Sequence, residues 1–214
     1  MGEALEKSDT GSYQRLHTWL HHRVTGSRRV RILAEQIASL LPENATLLDV
    51  GAGSGEVASI VMSAKPGISI TGVDVFVRPD TAIPVMHYDG LHFPTADKSF
   101  DYVCFVDVLH HTPDPVVLLK EAVRVARKGV ILKDHNCNNV YTERLLHFTD
   151  WFGNRSYGVH LEYNFLSRLE WQQAFRRVGL YERVYRTQFG LYPKFTRVVF
   201  PESLDFFALL DVKG

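Results

Sequence analysis

Cysteine is nearly absent from this chain: Cys104 and Cys137 are the only two in 214 residues. Cys104 lies in an apolar run and Cys137 in a polar one, which suggests neither a disulfide framework nor a metal cluster and makes a reducing cytoplasm the simplest setting. Net charge is absent too. Lys+Arg and Asp+Glu each number 24, so no global field draws the chain to nucleic acid or to an anionic membrane. No hydrophobic run approaches the ~18 residues of a spanning helix, and membrane insertion is not expected. The opening MGEALEKSD is too polar for the apolar region of a signal peptide. What is there has ordinary globular make-up, 45% hydrophobic and 22% charged, with enough length for one α/β domain and a substantial core. No internal repeat or low-complexity segment interrupts it.

Residues 1–11 are small and polar and read as a frayed terminus. From Ser27 to Leu41, apolar residues at Val30, Leu33, Ile37, Leu40 and Leu41 share one face of a helix, with Ser27 placed to cap it and Pro42 and Asn44 to end it. Beyond it, short apolar runs alternate with helical stretches. Strands are predicted at Thr46–Val50, Ser69–Asp74, Val85–Tyr88, Tyr102–Val106 and Val130–Lys133. Helices are predicted at Gly55–Ala64 and Val116–Ala126, the second with Asp114 as its cap. This alternation predicts a doubly wound, mostly parallel sheet with helices on both faces. After Lys133 the pattern changes. Residues 134–170 are polar and aromatic without clear periodicity and read as an excursion over the sheet. Glu170–Val178 returns to helix and Gly179 ends it. Leu180–Phe189 and Thr196–Pro201 resemble the strands of an antiparallel edge hairpin joined through Gly190 and Pro193.

The strongest local feature is LLDVGAGSGEVA at 47–58, an apolar strand running into Gly51, Gly53 and Gly55 before a helix. Such a turn lets a ligand approach where a Cβ would collide, but it also serves as an ordinary tight connection. Two details favour a ligand. Glu56 stands where a dinucleotide fingerprint wants its third glycine, and Asp49 closes the strand with an acid that disfavours a pyrophosphate. A nucleoside with a cationic tail suits that carboxylate better. Asp74 ends the next strand, where an acid can accept both ribose hydroxyls or, alternatively, cap a helix.

Four segments in order, LLDVGAGSGEVA at 47–58, ITGVDVF at 70–76, HYDGLHFPTADKSFDYVCFVDVLHH at 87–111 and LLKEAVRVARKGVILKDH at 118–135, resemble the class I S-adenosylmethionine-dependent methyltransferases of the small-molecule, type 11-like group. The resemblance implies a Rossmann-like sheet of seven strands with the last antiparallel, S-adenosyl-L-methionine as cofactor and S-adenosyl-L-homocysteine as product. It implies that Asp49, Gly51, Ala52 and Gly53 hold the methionine end, that Asp74 takes the ribose, and that Val75 or Phe76 packs on the adenine. Asp89 with Gly90 would border the adenine amine, and Phe105 and Val106 would begin the segment, reaching to Val108, that flanks the sulfonium. The chain lacks the Asn/Asp-Pro-Pro-Tyr-type signature of base and glutamine methylation, with Val106-Asp-Val-Leu109 in its place. A small-molecule acceptor is therefore expected, with no nucleic acid favoured. A nicotinamide-dependent oxidoreductase and a non-catalytic S-adenosylmethionine-binding protein are the alternatives.

On this reading the chain is one domain over 1–214: a tail and a lid or cap helix at 1–41, a cofactor-binding core at 45–135, a substrate-side excursion at 136–170, and a closing helix with an edge hairpin at 171–214. Methyl transfer from a sulfonium needs alignment and at most one base. His110 and His111, after the fourth strand, and His135, after the fifth, are the histidines placed for this, with His111 and His135 as the candidates, a capping or packing role as the alternative for His111 and Asp134 as a possible orienting group for His135. No metal is expected. The acid-free stretch Thr10–Ala34, with Arg15, Arg23, Arg28, Arg29 and Arg31 beside His17, His21 and His22, reads either as a solvated helix face or as a lid contacting an anionic substrate. Tyr141, His147, Trp151, Phe152, Asn154, Tyr157, His160, Tyr163 and Asn164 either pack the excursion or line a pocket.

Overall fold

The computed structural model describes residues 27–154, 163–191 and 201–213. The expected frayed terminus and most of Thr196–Pro201 lie outside the described residues. Five helices are present among the described residues: α1 (Ser27–Leu40), α2 (Glu56–Ala64), α3 (Pro115–Val125), α4 (Val140–Asn154) and α5 (Arg168–Arg177). Seven strands, β1 (Thr46–Val50), β2 (Ser69–Asp74), β3 (Val85–His87), β4 (Phe100–Val106), β5 (Ala126–His135), β6 (Leu180–Arg186) and β7 (Asp205–Val212), form one sheet in the order β3-β2-β1-β4-β5-β7-β6. Strands β1 to β5 pair in parallel, and β7 runs antiparallel to both its neighbours. The Rossmann-like sheet with an antiparallel last strand is the expected fold.

Alternation along the central strands sends side chains to opposite faces. Leu48, Phe105, Leu132 and Phe206 join a core with residues of α3 and α5, while Leu47, Cys104, Ile131 and Phe207 join one with α1 and α2. Strands buried on both faces need apolar residues throughout, which is why their sequence runs are short and continuous. Capping fixes the helices locally. Asp114 accepts a hydrogen bond from Val116 N at 2.9 Å and starts α3. Ser167 and Glu170 form a capping box that starts α5 at Arg168, two residues before the predicted start. Gly179, at φ 77°, ends that helix as expected. The side chain of Ser27, expected to cap α1, is outside the described residues.

Among the described residues β6 pairs antiparallel with β7, which is inserted between β5 and β6; the strand expected at Thr196–Pro201 as partner of Leu180–Phe189 lies almost wholly outside the described residues. The run DFFALLDV is buried along most of its length, as an internal strand must be. The excursion also contains a regular helix, α4. Its apolar residues mark no single face: Leu146 is buried, whereas Val140, Tyr141 and Phe148 are exposed, so no periodic stripe betrays it. No described helix is long and apolar enough to cross a membrane.

The topology places the site. Chain order reverses between β1 and β4, which leave the sheet side by side with their carboxyl ends on one edge. Because β7 is antiparallel, it brings its amino end to that same edge, with Asp205 opposite His135.

Candidate functional site

The turn after β1 is held open by backbone conformations that favour glycine. Gly51, Gly53 and Gly55 all have positive φ, at 71°, 56° and 72°. A Cβ on Gly51 would stand 2.5 Å from Val108 Cγ2, so the segment after β4 lies directly against the turn. Gly51 N and Ala52 N both donate to Val73 O, at 2.8 and 3.3 Å. Asp74 then ties the ends of β1 and β2 together: its Oδ2 accepts from Gly53 N at 2.8 Å and its Oδ1 from Phe76 N at 2.9 Å. Each carboxylate oxygen has a second lone pair, so this bracing leaves room to accept hydroxyls.

Val75 and Phe76 project from the end of β2 and are strongly exposed, at 55% and 72%. Gly90, at φ 85°, lies beneath Val75, whose Cγ1 is 3.5 Å from where a Cβ would be. Asp89 is exposed and closes its own loop, accepting from Leu91 N and His92 N at 2.8 and 2.6 Å and facing His92 Nδ1 at 3.0 Å. These bonds, led by the His92 side chain, hold its carboxyl below the usual range. Phe105 is fully buried in the core beside Phe93, so toward a ligand it offers backbone alone. Val106 is half-buried against the opposite core. Gly72 went unnoticed in the sequence; a Cβ there would meet Ala52 Cβ at 2.6 Å, so β2 needs it to pass under the turn.

Asp49 is the electrostatic anomaly. Burial first, and the Asp74 carboxylate second, push its pKa up to about 7. Among the described residues no cation pairs with it. A half-buried acid with a raised pKa at the lip of a glycine turn fits a ligand that brings its own positive charge, and this is the chemistry of S-adenosylmethionine.

Beside the turn stands a second wall of charge. Asp107, immediately after β4, has a left-handed backbone (φ 56°), which is uncommon for a residue with a Cβ. Its carboxylate pairs with Arg29 of α1 and with the fully buried Lys133 of β5. Lys133 also reaches Asp205 at 2.6 Å. Burial, the largest single influence, opposes ionisation of Asp107 and Asp205, but Lys133 together with the neighbouring cationic groups outweighs it and holds both carboxyls below the usual range. His135 sits between the two acids, with Nδ1 at 2.9 Å from Asp205 and Nε2 at 3.5 Å from Asp107. His110, fully buried in a 3-10 turn at Leu109–His111, places Nδ1 at 2.7 Å from the buried Asp134.

The expected partnership is therefore corrected. Asp134 hydrogen-bonds His110, and the carboxylate beside His135 is that of Asp205, because neighbouring side chains on β5 point to opposite faces. His111 is half-buried, with its ring 3.9 Å from that of His110 and 6.0 Å from Tyr163. Tyr163, Phe165 and His147 roof the cluster, their rings 4.9–5.9 Å apart. Asn164 pins that roof, its N–H donating to His110 O at 2.8 Å. Tyr141 stands exposed on α4 away from this packing. Arg28 donates to Gly190 O, and Arg31 pairs with Glu35. Arg15, Arg23, His17, His21, His22, Tyr157 and His160 lie outside the described residues, as do the side chains of Trp151, Phe152 and Asn154.

Asp107, Lys133 and Asp205 were not singled out in the sequence, whereas His110 was noted with His111 after the fourth strand. One signal was available: Lys133 and Asp134 interrupt an otherwise apolar strand, and buried charges need partners.

Fold and turn together define a domain for a nucleoside carrying positive charge, with an acid–histidine wall beside it. Residues 20–182, more than half of the chain, match the model of a family described as a methyltransferase domain, and the chain belongs to that family. S-adenosylmethionine is the methyl donor that membership implies. The chain is similar to the 27-O-demethylrifamycin SV methyltransferase of Amycolatopsis mediterranei, 29% identical over 126 residues that cover 52% of this chain and 46% of that protein. It is also similar to the tRNA U34 carboxymethyltransferase of Nautilia profundicola, 33% identical over 37% of this chain and 30% of that one. The chain thus spans less than half the length of these curated relatives. Its fold matches a SAM-dependent methyltransferase from Methanosarcina mazei with a TM-score of 0.60 at 18% identity, covering 82% of this chain and 96% of the other.

Proposed function

We propose that the chain transfers the methyl group of S-adenosylmethionine to an oxygen of a small-molecule acceptor. The observation that carries this reading is the un-neutralised Asp49 at the glycine turn, lying next to a buried acid–histidine wall at the ends of β4 and β5. S-adenosylmethionine supplies an electrophilic methyl on a positively charged sulfur. Asp49 and the backbone of Gly51, Ala52 and Gly53 hold the charged end of the donor. Asp74 accepts from the ribose, Val75 and Phe76 cover the adenine, and Asp89 with Gly90 closes the loop at its edge. Phe105 and Val106 bring the chain to the sulfur. His135, braced by Asp205, and His111 are the half-buried rings that can accept the acceptor's proton.

The aromatic roof of Tyr163 and Phe165 suits a ring or an apolar body, and the balanced charge of the chain suits a small molecule better than a polyanion. The rifamycin relative, whose name specifies an O-demethylated substrate, supports an oxygen acceptor. The two free cysteines support a reducing cytoplasm as the setting. Methyl-labelled donor offered with a panel of hydroxylated small molecules and with bulk tRNA tests the proposal. Label is expected in a small molecule, and His135→Ala is expected to slow transfer by ~10²-fold or more while S-adenosylhomocysteine still binds. Label in tRNA alone, or donor binding without transfer to any acceptor, overturns the reading.

A further inference from the structure

The acid–histidine wall has a geometry that proton transfer alone does not require. One donor atom from each of Asp107, His110 and His135 lies within 4.8 Å of the other two. Each Nδ1 lies near a buried carboxylate: His110 hydrogen-bonds Asp134 at 2.7 Å, and His135 Nδ1 stands 2.9 Å from Asp205. His135 turns Nε2 toward Asp107. An imidazole with a carboxylate beside its far nitrogen is the usual arrangement of a metal ligand. The separation of His135 Nε2 from Asp107 Oδ1 is 3.5 Å, close to the ~3.4 Å edge of a tetrahedron with arms of about 2.1 Å.

We propose that Asp107, His110 and His135 bind a divalent transition metal of the zinc or manganese kind, with an open position for the acceptor's oxygen. Two nitrogens and one carboxylate oxygen suit such ions, whereas calcium and magnesium prefer all-oxygen sites. The charges agree. Asp107, Asp134 and Asp205 face Arg29 and Lys133, which leaves one negative charge with both histidines neutral. A dication turns that to one positive charge, and an ionised acceptor oxygen brings it to zero. Lys133 and Arg29 keep Asp107 in place in either state, so the site is formed before the ion arrives. Val108, one residue on, touches Gly51, which sets the three ligands beside the donor's turn.

This inference rests on the proposed methyl transfer and assigns its acceptor to the class of ionisable hydroxyls, such as phenols and enols. With the ion bound, the acceptor O–H breaks and its proton passes to solvent water. The new O–CH3 bond then forms as the S–CH3 bond breaks, with the electron pair left on sulfur as a neutral thioether. The ion, by ionising the hydroxyl, takes over the proton-removing role given to His135 above, and His135 serves as its ligand.

Calorimetry on the full chain, freed of metal by a chelator and titrated with Zn(II) and with Mn(II), tests the site; S-adenosylhomocysteine binding is measured on the same samples. One equivalent of metal is expected, weakened at least 100-fold by Asp107→Asn and by His135→Ala and unaffected by His87→Ala on the edge strand β3. Retained S-adenosylhomocysteine binding shows that each variant is folded. If the wild-type chain binds S-adenosylhomocysteine but takes up no metal, or if both variants bind metal as the wild type does, the metal site is wrong and the methyltransferase reading stands. Loss of S-adenosylhomocysteine binding by the wild-type chain would instead sink the reading on which it rests.

Discussion

Asp49 lies in a strand buried from both faces, and burial together with Asp74 pushes its carboxyl up to about 7. The folded chain therefore takes up a proton that an unfolded carboxyl, with a pKa of about 4, would release. Above pH 7 the ionised group destabilises the ligand-free protein, and a cationic ligand relieves it. Affinity for S-adenosylmethionine is expected to rise about tenfold between pH 6 and pH 8 as Asp49 ionises. In Asp49→Asn the profile flattens, and the ligand-free variant melts higher than the wild type at pH 8 but not at pH 5. Calorimetric titration and thermal melts at each pH check both; a wild-type affinity independent of pH would remove Asp49 from the donor's charged end. This residue was legible because everything that matters about it is local: an acid, a turn and three glycines follow one another in ten residues or so. The pairs His110–Asp134 and His135–Asp205 were not legible, since residues 24 and 70 positions apart meet only once β5 has paired with β4 and β7.

Strands β1 and β2 were readable to the residue, and α1 to within one, because their burial is uniform or falls on one stripe. Helix α4 was not, its exposed aromatics hiding the 3.6-residue period, and β7 was not, because an internal strand near the end of the chain has no parallel crossover to announce it. At this scale β5 is the strand that carries most risk. It places Lys133, fully buried, between Asp107 and Asp205. Lys133→Ala removes the shared cation and leaves two buried carboxylates facing each other. A loss of ~3–5 kcal/mol in urea unfolding is expected, with the change in midpoint and not in slope. A loss below about 1 kcal/mol would mean that Arg29 and His135 neutralise the acids without it.

For the whole molecule, β7 is the strand that closes both the sheet and the site. It pairs with β5 over Gly129–His135 and with β6 over Leu180–Arg186, and it adds Phe206, Phe207, Leu209 and Leu210 to the two cores. Deleting residues 205–213 leaves β6 without its described partner, one edge of β5 open, a broken core on each face, and His135 without the nearby Asp205 carboxylate. Such a chain is expected to show no cooperative thermal transition by circular dichroism. A cooperative melt within a few degrees of the intact chain would show that β5 and β6 are stable without their shared partner. The Rossmann-like half was visible in the sequence as alternating runs; the closure was not, since it depends on which edges meet in space.

The late position of β7 also bears on how the molecule is made. Its pairing edge on β5 is synthesised about 70 residues before it, and β6 emerges with no neighbour to join. At ~5–20 residues per second, translation leaves that edge open for several seconds. During that interval Val130, Ile131 and Leu132 lie on a strand with free amides, the kind of surface on which nascent chains aggregate. Lys133, Asp134 and His135 stand next to them on the same open edge, and before they acquire their partners they are a hydrated, charged segment. The polar cluster proposed for the acceptor's side of the site is thus also placed, on the ribosome, to guard an unfinished sheet.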